Sequence, residues 1–328
     1  MEHDLIITNG DAAGELLRRS IAGAEILPWR DVLHDGPVPF TEDLDELSAI
    51  RADFLASRGW GTSEQLRNDF EARDRGLAVS EVFDRVALWF EHDLFDQLQL
   101  LQILDWFEAH PPEPGKLLLV QSSTFLGTLT PEDIPDFRAS EQPVTDEQLS
   151  LAALAWAAFR SDTPEEWAEL MHRTDDALPY LKPAVLRMLE ELPDQRGLNR
   201  TERQMLQPLL TTPLNPPQMF ALSQRQEEAM FMGDWSFWAL LDGLAFGETP
   251  LVEGLENAFA GPDDATATQV YLQSTVELTE FGKAVLAAEE DRYAENTMDR
   301  WWGGTRLTDE NLWRWNADSR SLIPPGVL

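Results

Sequence analysis

The sequence predicts a two-part protein, an α/β half followed by a mostly helical half, on three observations. Residues 5–8 (Leu-Ile-Ile-Thr) and 24–28 read as strands around a helix at 12–20, a compact βαβ-like opening. Residues 86–90 (Val-Ala-Leu-Trp-Phe) form an apolar run followed at once by Glu91, His92 and Asp93 and then by a helical pattern. From about residue 148 the spacing of apolar residues becomes helical. Together these give a short parallel, Rossmann-like sheet over 1–138, an all-helical connector over 139–196 and a winged-helix-like domain over 197–328.

The elements follow in order. Asn9-Gly10-Asp11 is a turn between the first strand and its helix. After the second strand, 29–39 is a long loop ending in Gly36, Pro37 and Pro39, and helices are expected near 43–57 and 63–74. The third strand is 86–90. Asp93 suits the N-cap of the amphipathic helix behind it, and Asp96 favours the positive end of the helix dipole. His110-Pro111-Pro112 stops that helix, and 116–121 makes a fourth strand. An order 2-1-3-4 puts the reversal between strands one and three, and ligands of open α/β sheets bind beyond the strand ends at such a point.

In the connector, 149–159, 164–172 and 179–192 each carry an apolar face, and 193–197 reads as a linker. In the last third, helices are expected at 200–210, 216–229 and 234–246, a hairpin strand at 270–278, and a final helix opened by Thr279. Three helices with a strand–turn–helix suggest the winged-helix likeness. The charge argues against DNA. Between Arg225 and Lys283 there is no Lys or Arg, and 234–246 carries Trp235, Phe237, Trp238, Leu240, Leu241 and Leu244 with two acids, Asp234 and Asp242. That domain is expected to be structural or protein-binding.

The chain has 328 residues, 12 Trp, no Cys and a formal charge of −34. The length allows a sizeable core and more than one domain. Without Cys there is no disulfide, thiolate nucleophile or Cys-bound zinc. The charge opposes anionic partners and favours cations, or serves solubility. No apolar run is long enough to span a membrane, and the acidic start lacks the basic region of a secretory signal, so a cytoplasmic location is expected.

The candidate site collects the polar residues behind the strands. Asp11, Glu91 and Asp93 are candidate ligands of a divalent metal, Mg²⁺ or Mn²⁺. His92, Glu91 and Asp31 are candidate catalytic acid/base groups. Asn9, Gly10, Trp29, His34 and Gln97 are candidate ligand contacts. The alternative stays open that Asp93 merely caps a helix, Asp11 makes a turn and His92 bonds to backbone. No G-x-G-x-x-G, Walker, H-E-x-x-H or G-x-S-x-G motif is present. The 29–39 loop could cover the crevice or simply pack on the core. The aromatic–Arg segments 300–304 and 313–315 could staple the C-terminus onto its own domain or form an interface, so a homo-oligomer is possible.

The segments 9–11, 29–37 and 88–98, with 200–204, 231–234, 300–304 and 313–315, resemble a bacterial family whose N-terminal half is the domain of unknown function 1835. The resemblance spans nearly the whole chain and implies no particular activity. The residues themselves suggest a protein that binds a small molecule or hydrolyses a phosphorylated or similar small substrate with metal assistance. The competing reading is a regulatory protein–protein interaction module whose winged-helix-like part does not bind DNA.

Overall fold

β1 (Asp4–Asn9), α1 (Asp11–Ser20) and β2 (Glu25–Trp29) open the computed structural model, which describes residues 3–173, 176–261 and 264–327. β1 and β2 are parallel neighbours, with Asn9 opposite Trp29. No helix or strand forms between Trp29 and α2 (Leu44–Ser57), whose N-cap Asp43 accepts from the Glu46 N–H. α3 (Ser63–Ala78) follows, one turn longer than its polar sequence suggests, because Leu77 is buried in the core. β3 (Arg85–Glu91) is then parallel to β1, and α4 (Leu94–Ala109) and β4 (Leu117–Ser122) continue the pattern. After α5 (Ile134–Ala139), β5 (Gln142–Pro143) adds a short antiparallel edge that the sequence did not suggest. The sheet order is β2-β1-β3-β4-β5, so it does reverse between β1 and β3.

α4 departs from the amphipathic helix that its sequence suggests. Leu98, Leu100, Leu101, Ile103 and Leu104 are all buried, and so are Gln97, Gln99 and Gln102. The cause is packing on both sides: the sheet lies on one, and α6 (Asp146–Phe159) and α8 (Leu181–Leu189) lie on the other, with α7 (Glu165–Glu169) between them in the chain. Two of its glutamines each make one bond to the end of β2 and the loop behind it, while Gln99 Oε1 and Gln102 Nε2 are buried without a partner among the described residues. Gln99 donates to the Asp31 carbonyl at 2.8 Å, and Gln102 accepts from the Trp29 indole at 2.9 Å.

A second core is built by α9 (Arg200–Leu206), α10 (Pro216–Gln224), α11 (Asp234–Ala245), β6 (Val252–Glu253), α12 (Ala265–Gln273), β7 (Glu277–Leu278) and α13 (Glu280–Leu286). Two expectations are corrected here. The helix from Pro216 ends at Gln224, not at residue 229. The first four residues of the strand expected at 270–278 belong to α12, because Asp264 caps a helix by accepting from Ala267 and the Tyr271 hydroxyl bonds to Asp242 at 2.9 Å. Beyond it β7 is paired antiparallel with β6, and Val276 bridges to Leu214.

The last strands leave this core. β8 (Asp299–Trp302), β9 (Thr305–Thr308), β10 (Arg314–Asn316) and β11 (Ser321–Ile323) form two hairpins. Trp302, Leu307, Trp313 and Trp315 pack in the same cluster as Leu98, Trp156 and Met188. Gly303 has φ +57°, and a Cβ there would lie 2.3 Å from the Phe159 carbonyl oxygen, so only glycine fits this approach. The aromatic–Arg segments therefore staple the C-terminal strands onto the first core.

Candidate functional site

Glu91 ends β3, and two residues later Asp93 caps α4 by accepting from the Asp96 N–H at 3.2 Å. The first turn of α4 brings Asp96 back over the strand end, where its Oδ1 accepts from the Glu91 N–H at 2.6 Å. Carboxylate oxygens of Glu91, Asp93 and Asp96 lie within 4.8 Å of one another, and all three residues are buried. Neighbouring groups complete the enclosure. Asn9, at the end of β1, donates to Asp96 Oδ2 at 2.5 Å. The Leu126 N–H donates to Glu91 Oε1 at 2.6 Å, and the Gln97 amide donates to the Glu91 carbonyl at 2.6 Å.

The electrostatics are unusual for three clustered acids. Burial pushes all three pKa values up: Asp93 to about 7, Glu91 above the usual range, and Asp96 well above it. Repulsion from Glu91 adds to the rise of Asp93, and repulsion from both neighbours adds to that of Asp96. Hydrogen bonds from backbone N–H groups and from Asn9 offset part of this. No cation contributes to any of these shifts among the described residues. Such a group near neutral pH either holds protons or takes up a cation. Its donors are all carboxylate oxygens, which suit a hard divalent ion such as Mg²⁺ or Mn²⁺.

The other expected residues divide into separate places. Asp11 does not join the carboxylate group. It is exposed and forms a bidentate pair with Arg30, with contacts of 2.6–3.0 Å. Asp31, expected as a catalytic carboxylate, is buried in an ion pair with Arg51 at 2.8 Å. Arg51 also donates to the carbonyls of Val32 and Asp35, so this pair pins the 29–39 loop to α2. Trp29 is wholly buried and forms part of the first core. Gly10, Asp11 and Asp31 border a cavity of about 320 Å³ behind β1 and β2, together with Arg30 and Arg73.

His92 turns its ring toward Phe125 and Tyr180, at centroid distances of 5.2 and 5.8 Å. Its Nδ1 is buried without a hydrogen-bond partner among the described residues. His34 lies farther off, against Phe95 and Phe231. Sequence reasoning missed Asp96 as a site carboxylate. Its signal was present in the Asp93-x-x-Asp96 spacing, which places the second acid over the first turn of the helix. Arg51 had no comparable signal, because its partner Asp31 is 20 residues away on a loop.

No protein-family model matches the chain, and no curated protein matches it. Among the described residues no helix is long and apolar enough to cross a membrane.

Proposed function

We propose that the protein binds Mg²⁺ or Mn²⁺ through Glu91, Asp93 and Asp96 and acts in metal-assisted hydrolysis of a phosphorylated or similar small substrate. The observation that carries this reading is the buried carboxylate trio without a countercharge. Removing three carboxyl groups from water is unfavourable, and a divalent cation offsets both their desolvation and their mutual repulsion. A cation bound there would polarise an oxygen of the substrate. Asn9 and Leu126 orient two of the carboxylates. His92, next in sequence to Glu91 and with an unpartnered Nδ1, is the candidate proton carrier. Membership of the bacterial family with the domain of unknown function 1835, and with it the Rossmann-like and winged-helix-like descriptions of the two parts, belongs to the same proposal.

The test is thermal unfolding of the full chain with and without millimolar Mn²⁺. Mn²⁺ is expected to raise the melting temperature by linkage. Glu91→Gln with Asp96→Asn abolishes the increment, while Asp11→Asn leaves it intact. An increment that survives the first pair, or no increment in the unaltered protein, overturns the cation site.

A second reading, a regulatory interaction module, is favoured by one observation. Trp235 at the start of α11 meets Trp60 of the first part, with ring centroids 6.1 Å apart. A ligand between the two parts would therefore be felt by both.

A further inference from the structure

A cavity of about 530 Å³ lies between the two cores, and none of the carboxylate trio borders it. Its wall is aromatic: Trp60 and Phe95 come from the first part, and Phe220, Phe231 and Trp235 from the second. Asp234 at its edge is the one charged residue bordering it among the described residues. The volume falls within the range of small-molecule sites, which favour such junctions.

Polar groups with unmet hydrogen-bonding capacity border this apolar space. His34 is about nine-tenths buried, and neither Nδ1 nor Nε2 has a partner among the described residues. Phe231 stands edge-on to its ring at 5.0 Å. Burial lowers the His34 pKa to about 4, so the ring is neutral near pH 7, with one donor and one acceptor nitrogen. Gln224 donates to the Met232 carbonyl at 2.7 Å, but its Oε1 is buried without a partner. Buried polar atoms left this way are destabilising, and native proteins rarely keep them.

We propose that this cavity binds an uncharged, planar nitrogen heteroaromatic molecule, stacked on the aromatic wall and hydrogen bonded at its edge by His34 and Gln224. The aromatic side chains match the faces of such a ligand, and its edge supplies both a donor and acceptors. A half-turn of the imidazole about Cβ–Cγ exchanges nitrogens for carbons within one footprint, so engagement requires no backbone movement. The lack of a bordering cation excludes an anionic ligand, which separates this site from one for a phosphorylated substrate.

The test is calorimetry and saturation-transfer NMR on the full chain, with adenine as the polar probe and benzene as the apolar planar control. Adenine is expected to bind saturably, and His34→Leu to weaken it about tenfold, the effect of one lost buried hydrogen bond. Met230→Trp, at a half-exposed residue bordering the cavity, weakens it by filling the space without disturbing the fold. Gln224→Leu gives the same reading of edge recognition if His34→Leu does not fold. Adenine binding is unchanged in chelator, so failure of the carboxylate reading is told apart from failure of this one. No adenine binding at millimolar concentration overturns the proposal. So does benzene binding together with adenine binding that is indifferent to His34 and Gln224, which marks an apolar void only.

Discussion

The side-chain amide of Asn9 donates to Asp96 Oδ2 at 2.5 Å, tying the end of β1 to the first turn of α4 where the sheet order reverses. This bond joins residues 87 positions apart and lets a buried carboxyl group keep a partner on each oxygen. Replacing Asn9 with Leu removes the donor and leaves Asp96 Oδ2 orphaned. The expected loss is about 1–3 kcal/mol of unfolding free energy in urea titration. An unchanged midpoint and slope would show that Asp96 does not depend on this bond.

Asp93 makes stability depend on pH in a definite direction. Its pKa is about 7 in the folded chain, against the ordinary value of 3.8. Between those values the folded state binds more protons, so stability from this group is complete below about pH 4 and is lost as pH rises through 7. His34 acts oppositely: its pKa falls from 6.5 to about 4, so its contribution is complete above about pH 6.5 and is lost as pH falls through 4. Asp93→Asn keeps an N-cap oxygen but removes the titration. In chelator, the variant should gain on the unaltered chain between pH 5 and pH 8, by on the order of 2 kcal/mol. A stability difference that is flat across this range would contradict the assigned shift.

Trp302 anchors the C-terminal hairpins. It is buried, donates its indole N–H to the Met188 carbonyl at 2.8 Å and meets Phe159 and Trp167 edge-on. Trp302→Ala should cost about 3–5 kcal/mol, read from chemical unfolding. Trp301→Ala, at a residue only partly buried, should cost much less. Equal losses would sink the idea that Trp302 is the staple.

DNA binding through α11 is not expected. Phe237, Trp238, Leu241 and Leu244 are buried in the second core, and Trp235 borders the cavity between the two parts. The helix has acids at Asp234 and Asp242 and no base. The full chain should give no salt-sensitive shift of a DNA duplex at low ionic strength. Micromolar binding that weakens with salt would reverse this conclusion.

Much of the first half was legible because its signals are local. The apolar run of β3, the cap at Asp93 and the turn at Asn9-Gly10 each depend on residues within one or two turns. They placed Glu91 and Asp93 at a strand end and put the reversal between β1 and β3. Asp11 misled, since it also follows a strand, yet Arg30 draws it into solvent. The 270–278 segment misled in its first four residues, whose sequence suits a strand or a helix, and contacts of Tyr271 outside the segment decide for the helix.

The sequence alone determined the strands and helices of the parallel sheet, because apolar periodicity and caps act between near neighbours. Tertiary structure decided which carboxyl groups lose water together. It chose Asp96 rather than Asp11 for the trio, joined Asp31 to Arg51, and folded β8 and β9 back onto α6 and α8. Desolvation and long-range pairing set those outcomes, and both depend on what the rest of the chain packs against each group.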